Sequence, residues 1–470
     1  MIKKMANIKL FIIISAVMLM ASYQIGESRT LEEAKQLFND GDYAEAVGTL
    51  METADKEPKN TSVNHLAGVA LQQLGRYEEA KKYLKRGINE SNINLAEIAF
   101  MEYRFDEGDD YLDQYEKTLK KGKKTAEPSA EAVAARERLE KGRNMLDRVE
   151  KIVIIDSLTV DKEDFFRAYR LAASSGSLQG ANGLPAGVVG ADPTVVYVTE
   201  NGREKIWSTP DDNENYVLVE ASLLDDGKWS EPTELDKRLG EGGDANFPFM
   251  LSDGETLYFA NDGENSLGGY DIYISRRAAD GFFMPQNLGM PYNSPYDDYM
   301  LAIDEETGSG WWATDRNQIE DKVTIYRFIP SELRINYPSD TENLADLAFI
   351  RNYRATQTPG VDYEQMKREM DQNTRRVRES DYEFTIGLPG GKIYHNLRDF
   401  SNPTSRQLMS EYLALEKKLT QEEKRLSDLR QQYRNGRKNV AREIETAESD
   451  IESMRQKLKN LKNDIARAEK

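Results

Sequence analysis

The spacing of apolar positions changes along the chain, and each change marks a region. After Lys3, Lys4 and Lys9, residues 10–20 are almost wholly apolar. A basic head before roughly 11 apolar residues has the make-up of a secretory signal and is short for a membrane span. Residues 1–22 are therefore expected to be a signal peptide, with a mature chain starting between about Ala21 and Ser28. From residue 30 to 149, small and apolar residues recur every three or four positions, which predicts amphipathic helices. From Lys151 the period shortens towards two, in runs such as 195–198 and 257–259 bounded by Asp-Gly and Pro, which predicts strands. In 404–470, Leu408, Tyr412, Leu415, Leu419, Leu426, Leu429 and Tyr433 keep the spacing of a coiled coil. Ile444, Ala447, Ile451, Met454, Leu458, Leu461 and Ile465 continue it. Asn435-Gly436 divides the segment into similar halves and predicts an antiparallel hairpin. The heptad register runs on through Arg437 and Val440, which leaves one long helix as the competing form.

The helical region repeats itself. Gly41-Asp42-Tyr43 recurs as Gly75-Arg76-Tyr77, Ala46 as Ala80 and Leu50 as Leu84, each 34 residues later. That is the period of the tetratricopeptide repeat. Ala34, Gly41, Tyr43, Ala46 and Pro58, then Ala67, Gly75, Tyr77 and Ala80, match that family's core. Small residues let paired helices approach, and the tyrosine fills the space between them. A degenerate third unit places Tyr103-Arg104-Phe105 where Gly75-Arg76-Tyr77 stood, with Gly108 and Leu112 following. A basic linker at 120–128 leads to a capping helix at 130–149, so the α-solenoid is expected to span residues 30–150.

A second repeat runs through the strands. Asp226-Gly227-Lys228-Trp229 recurs as Asp280-Gly281-Phe282-Phe283, 54 residues on. Gly254 to Phe259 recurs loosely as Gly308 to Ala313, and Ile272-Tyr273 as Ile325-Tyr326, 53 residues on. Units of this size with strand-turn chemistry at fixed places indicate propeller blades. Pro248, Ser252, Asp253, Gly254, Leu257, Tyr258 and Phe259, with Asp271, Ile272 and Tyr273, resemble a blade of a TolB-like, WD-type β-propeller. The propeller is expected over 151–400, with strands at 382–386 and 392–397 closing the ring against 152–155.

Charge and composition narrow the chemistry. The chain has no cysteine, which excludes disulfides and thiolate chemistry, and its only histidines are His65 and His395. A net charge of −19 argues against nucleic acid as a main partner. Asp244, Asp253, Asp262, Asp271, Asp297 and Asp298 fall at predicted turns and are expected on a solvated rim. No residue stands out as catalytic, cofactor-binding or metal-ligating, and no cofactor is expected. Exposure of Trp311 or Trp312 above converging carboxylates would favour a glycan-binding or glycan-cleaving protein, and burial would favour a scaffold.

Tetratricopeptide repeats followed by a TolB-like propeller resemble a family of exported envelope proteins of Gram-negative bacteria. Some members end in an OmpA-like domain, and some serve type IX secretion. Here the coiled coil of 404–470 stands in that domain's place. The resemblance implies a non-enzymatic, periplasmic scaffold, associated with an outer-membrane or secretion complex. Its expected partners are other envelope proteins, bound through the repeat groove, the propeller face and the coiled coil, with no transmembrane span in the mature chain.

Overall fold

The computed structural model describes residues 29–469, except 123–125, 225, 226, 279, 332, 380–383, 385, 389–392, 395, 435, 436, 438 and 439. The predicted signal peptide, Asp226, His395, the Asn435-Gly436 pair and most of the 388–391 turn lie outside the described residues. The chain divides into two compact units, 1–140 and 141–470.

The first unit is helical: α1 Leu31–Asp40, α2 Tyr43–Lys56, α3 Thr61–Gln73, α4 Tyr77–Leu84, α5 Ser91–Met101, α6 Phe105–Gly122 and the start of α7 Ala130–Leu146. A reciprocal cap begins α1. The Thr30 hydroxyl accepts from the Glu33 N–H at 3.3 Å, and the Glu33 carboxylate accepts from the Thr30 N–H at 2.7 Å. Gly41 ends α1 with φ of 89°, and Gly75 follows α3 with φ of 70°. Tyr103 holds the same place after α5 with φ of 61°, a conformation that costs a non-glycine residue more. The shared geometry confirms the register, since the residue after each donates back to Leu37, Leu71 or Ala99.

The core of the first two repeats is rich in small side chains. Ala34, Ala46, Ala54, Ala67, Ala70 and Ala80 are fully buried with Leu50 and Leu71. A Cβ on Gly68 would lie 2.5 Å from Leu84 Cγ, so glycine is what lets α3 and α4 touch. Gly108 does the same for α6 and α7, where an added Cβ would meet Leu139 at 2.5 Å.

Among the described residues the second unit contains three larger antiparallel sheets and one two-stranded pair. In the first, β2 Ser177–Gln179, β3 Val196–Val198, β4 Glu204–Pro210, β5 Tyr216–Ser222 and β6 Thr233–Glu234 follow one another. In the second, β7 Ala245–Met250, β8 Thr256–Asn261 and β9 Asp271–Ala278 carry the short strands β10 Gly281–Phe282 and β11 Gln286–Asn287 on their outer edge. The third joins β12 Asp298–Asp304, β13 Ser309–Thr314 and β14 Lys322–Ile329 to the earliest strand, β1 Val153–Asp161. The tie expected between 152–155 and the late strands is thus made by β14 instead, with Leu158 opposite Ile325. The late strands, β15 Ile386–Gly387 and β16 Ile393–Tyr394, pair with each other.

The 53-residue repeat falls on equivalent strands of the second and third sheets. Gly254 and Gly308 have φ of 72° and 65° in the turns before β8 and β13. Phe247 and Met300 have φ of 55° and 54° inside the matching bulges of β7 and β12. Asp253 makes its turn as predicted, accepting from the N–H groups of Glu255 and Thr256 at 2.8 Å each.

One aromatic cluster joins the three sheets. Phe165, between β1 and β2, has ring centroids 5.2 Å from Tyr299 and 6.0 Å from Phe247, both edge-on. Phe247 and Tyr299 stack at 4.5 Å. Each such pair contributes about 0.5–1.5 kcal/mol beyond burial. The Tyr169 hydroxyl donates to the Met300 carbonyl at 2.7 Å, and Asp304 accepts from the Ala172 N–H at 2.9 Å. The segment leading into the first sheet is thereby bonded to the third.

Short helices follow, α8 Leu344–Phe349 and α9 Tyr363–Glu379, then two long ones, α10 Pro403–Arg434 and α11 Ala441–Ala468. Asn402, before α10, donates to the carbonyl of Ala468 at the end of α11 at 2.6 Å. Leu426 and Leu429 share a cluster with Ala447 and Ile451, and Arg430 pairs with Glu448 at 2.7 Å.

Candidate functional site

The first unit offers one face with the features of a binding surface. On α1, Leu31, Lys35 and Phe38 are spaced i, i+4, i+7, as are His65, Val69 and Gln72 on α3, so each trio shares a side of its helix. All six are half-buried. The first helix of each repeat stands beside its counterpart: α3 packs against both α1 and α5. Two side-chain bonds join α3 to α5. His65 Nδ1 lies 2.9 Å from Ser91 Oγ, and the Asn94 amide donates to Gln72 Oε1 at 2.9 Å. Burial lowers the His65 pKa, so the imidazole is neutral at physiological pH. Ile93 is also half-buried, and Glu97 is salt-bridged to Arg138. The face therefore combines apolar patches with neutral amides and little uncompensated charge. The 34-residue spacing located these helices; the Gln72–Asn94 bond crosses from one repeat to the next and leaves no mark in the spacing.

In the second unit the acidic residues hold the sheets together. Asp244 accepts from the Tyr216 N–H at 2.8 Å, bonding the second sheet to the first. Asp297 accepts from the Tyr270 N–H at 2.9 Å, bonding the third to the second. Each of these aspartates donates its own N–H to another carboxylate, Asp262 at 2.7 Å and Asp315 at 2.9 Å. Burial, then repulsion from Asp297, pushes Asp315 up to about 6.

The solvated-rim expectation fails most clearly at Asp271 and Asp298, both 0% exposed. Asp298 meets Arg316 at 2.6 Å and accepts from both the backbone and the hydroxyl of Ser294 at 2.6 Å. Arg316 also donates to the carbonyls of Pro291 and Tyr292. Asp271 accepts from the Leu267 N–H and the Asn287 amide, yet its Oδ1 is buried with no partner, and burial pushes its pKa up to about 8. Sequence spacing places these residues beside turns but does not give their depth, because depth is set by the neighbouring sheet.

Trp311 and Trp312 are 2% and 0% exposed. Trp311 lies under the Arg327 guanidinium at 4.6 Å, and Trp312 packs against Tyr292, Tyr326 and Phe328. Among the described residues no group of three or more His, Asp or Glu side chains is placed to hold a metal ion. Among them, too, no helix is long and apolar enough to cross a membrane.

Comparison with known proteins identifies part of the chain. Residues 37–92 match the tetratricopeptide repeat family. No curated protein and no solved structure matches the chain. Tetratricopeptide repeats point to a role in protein–protein interaction.

Proposed function

We propose that this protein is a non-enzymatic scaffold whose helical repeats hold a segment of a protein partner on the α1–α3–α5 face. The carrying observation is the run of half-buried Leu31, Val69 and Ile93 beside the neutral His65, Gln72 and Asn94. Apolar patches flanked by amides fit a peptide or helix of mixed polarity better than a highly charged one.

The same proposal reads the three sheets as a reduced β-propeller. The pairing of β1 with β14 and the repeated aspartate bonds between sheets support that reading. It reads α10 and α11 as an antiparallel hairpin, supported by the bond from Asn402 to Ala468. Residence in the bacterial envelope rests on the basic, then apolar, pattern of residues 3–20. The glycan-binding alternative loses its main support, because buried Trp311 and Trp312 offer no stacking platform.

Photo-crosslinking in cells tests the binding face. A crosslinker at Val69 is expected to capture protein adducts that one at the exposed Glu52 of α2 does not. Equal capture at both positions would overturn the assignment. N-terminal sequencing of the cell-purified protein tests export, and a retained Met1 in the inner-membrane fraction would argue for an anchor instead.

A further inference from the structure

A group of buried N–H donors in the third sheet lacks acceptors. Trp311 of β13 stands opposite Arg327 of β14, and Asp156 of β1 stands opposite Arg327 on its other side. Directly opposed side chains share one face of a sheet. Arg327 is 1% exposed, and its guanidinium lies over the Trp311 indole at 4.6 Å. Arg327 Nη1 donates to Asp371 at 2.7 Å. Nε and Nη2 of Arg327 and Nε1 of Trp311 are buried and find no acceptor among the described residues. A buried donor without an acceptor has lost its water and gained nothing in return, most of all where it carries charge. Donors on two adjacent side chains call for an acceptor with more than one oxygen.

The acceptor already present comes from α9. One oxygen of Asp371 meets Arg327, and the other lies 3.9 Å from Arg170. A single carboxylate is thus shared by two guanidiniums, without the paired N–H contacts through which arginine holds carboxylates most strongly. The helix that brings it packs against β1. From 363 to 371, its Tyr363, Met366, Lys367, Met370 and Asp371 are buried or half-buried, and the residues between them are exposed. Beside Asp371, the charged contact that ties α9 to β1 is Lys367 with Asp156 at 3.4 Å; Lys367 also meets Glu364 at 3.3 Å within the helix.

We propose that Arg327 and Trp311 form a carboxylate receptor, filled in this structure by the chain's own Asp371, and that α9 is a lid which an external carboxylate displaces. A carboxylate fits better than a phosphate. Exchanging one carboxylate for another leaves the charge around Arg327 unchanged, whereas a phosphate dianion would add a further negative charge beside Asp156. A free carboxylic acid and an acidic side chain of a protein share this chemistry, and the test tells them apart.

The test is fluorine NMR of the full chain labelled with fluorotryptophan, in which Trp311 is assigned by its loss in Trp311→Phe. The probes are succinate, a capped tetraglutamate peptide and inorganic phosphate, at constant ionic strength. The Trp311 resonance reports this site alone, so peptide held on the α1–α3–α5 face does not register. Succinate or the peptide is expected to shift the Trp311 resonance saturably. A response to succinate assigns a free acid, and a response to the peptide alone assigns a protein side chain. Asp371→Asn should bind the same probe about tenfold more tightly, as expected where the resident carboxylate fills the receptor about nine-tenths of the time. Arg327→Lys keeps the charge without the paired donors and should lose the shift with an unchanged circular dichroism spectrum. No Trp311 shift with either carboxylate, in both the parent and Asp371→Asn, would overturn the proposal. So would equal affinity in those two proteins, or a stronger response to phosphate. Should Arg327→Lys fail to fold, the comparison of the parent with Asp371→Asn decides by itself.

Discussion

The helical repeats and the three sheets solve the packing problem in opposite ways. In residues 31–140 the interior of the first two repeats is rich in alanines and leucines, the buried aromatics Phe100, Tyr103 and Phe105 gather in the third unit, and helices adjacent in sequence touch. In the sheets the interior is made of large aromatics and buried charge drawn from distant positions. Phe165 meets Tyr299 across 134 residues of sequence, and Arg316 reaches back to Asp298 and to the carbonyls of Pro291 and Tyr292. A core of small side chains tolerates loss of volume and resists its gain. A core that encloses an ion pair is most vulnerable to loss of one partner.

That contrast can be tested selectively, because all four tryptophans, at 207, 229, 311 and 312, lie in the second unit. Tryptophan fluorescence therefore follows the sheets, while helical circular dichroism also follows the repeats. The largest effect is expected from Asp298→Ala, which strands Arg316 in the interior. Breaking a buried pair in this way costs about 3–5 kcal/mol. The fluorescence transition in urea should move to much lower denaturant, and an unmoved transition would mean that the pair is not a keystone of the sheets.

A smaller effect is expected from Ala80→Leu, which forces a larger side chain between α3 and α4. Overpacking costs about 1–3 kcal/mol. The circular dichroism transition should shift while the fluorescence midpoint stays in place. A shift in fluorescence of the same size would show that the two interiors unfold together and that the contrast has no thermodynamic meaning.

The last expected change is a slope with pH rather than a shift at one pH. Burial disfavours the charge of the Asp271 carboxyl and pushes its pKa up to about 8, above the ordinary carboxylate range. The folded protein therefore keeps a proton that the unfolded chain releases. The associated stability is present below the ordinary carboxylate pKa and is lost as pH rises through about 8. Asp271→Asn should flatten the fall of the urea midpoint between mildly acidic and mildly alkaline pH. Part of the fall should remain, since Asp315 is raised in the same direction. An identical slope in both proteins would show that Asp271 is solvated in solution.

How much could be read in advance follows from the same contrast. Gly41, Gly75 and Tyr103 end the first helix of each unit; the 34-residue spacing located the first two, and the likeness of Tyr103-Arg104-Phe105 to Gly75-Arg76-Tyr77 located the third in a shortened unit, because a helix pair is a local structure. The strand repeat likewise placed β8 against β13 and β9 against β14, since turn residues such as Gly254 and Gly308 carry a backbone requirement visible in one residue. Of the aspartates read as solvated turn formers, Asp253 makes its turn at the surface, Asp244 and Asp297 bond one sheet to the next, and Asp271 and Asp298 are buried. A turn-forming aspartate and a buried one have the same sequence surroundings. Only the approach of a second sheet tells them apart.

Local periodicity by itself thus determined where helices and strands run, where the 34-residue repeats begin, and which small residues sit between paired helices. The tertiary structure decided which strand completes the third sheet, what fills the space between sheets, and whether a carboxylate faces water or Arg316. The physical reason is range. Helix and turn propensities act over a few residues, whereas burial and ion pairing depend on groups that the chain brings together only after it has folded.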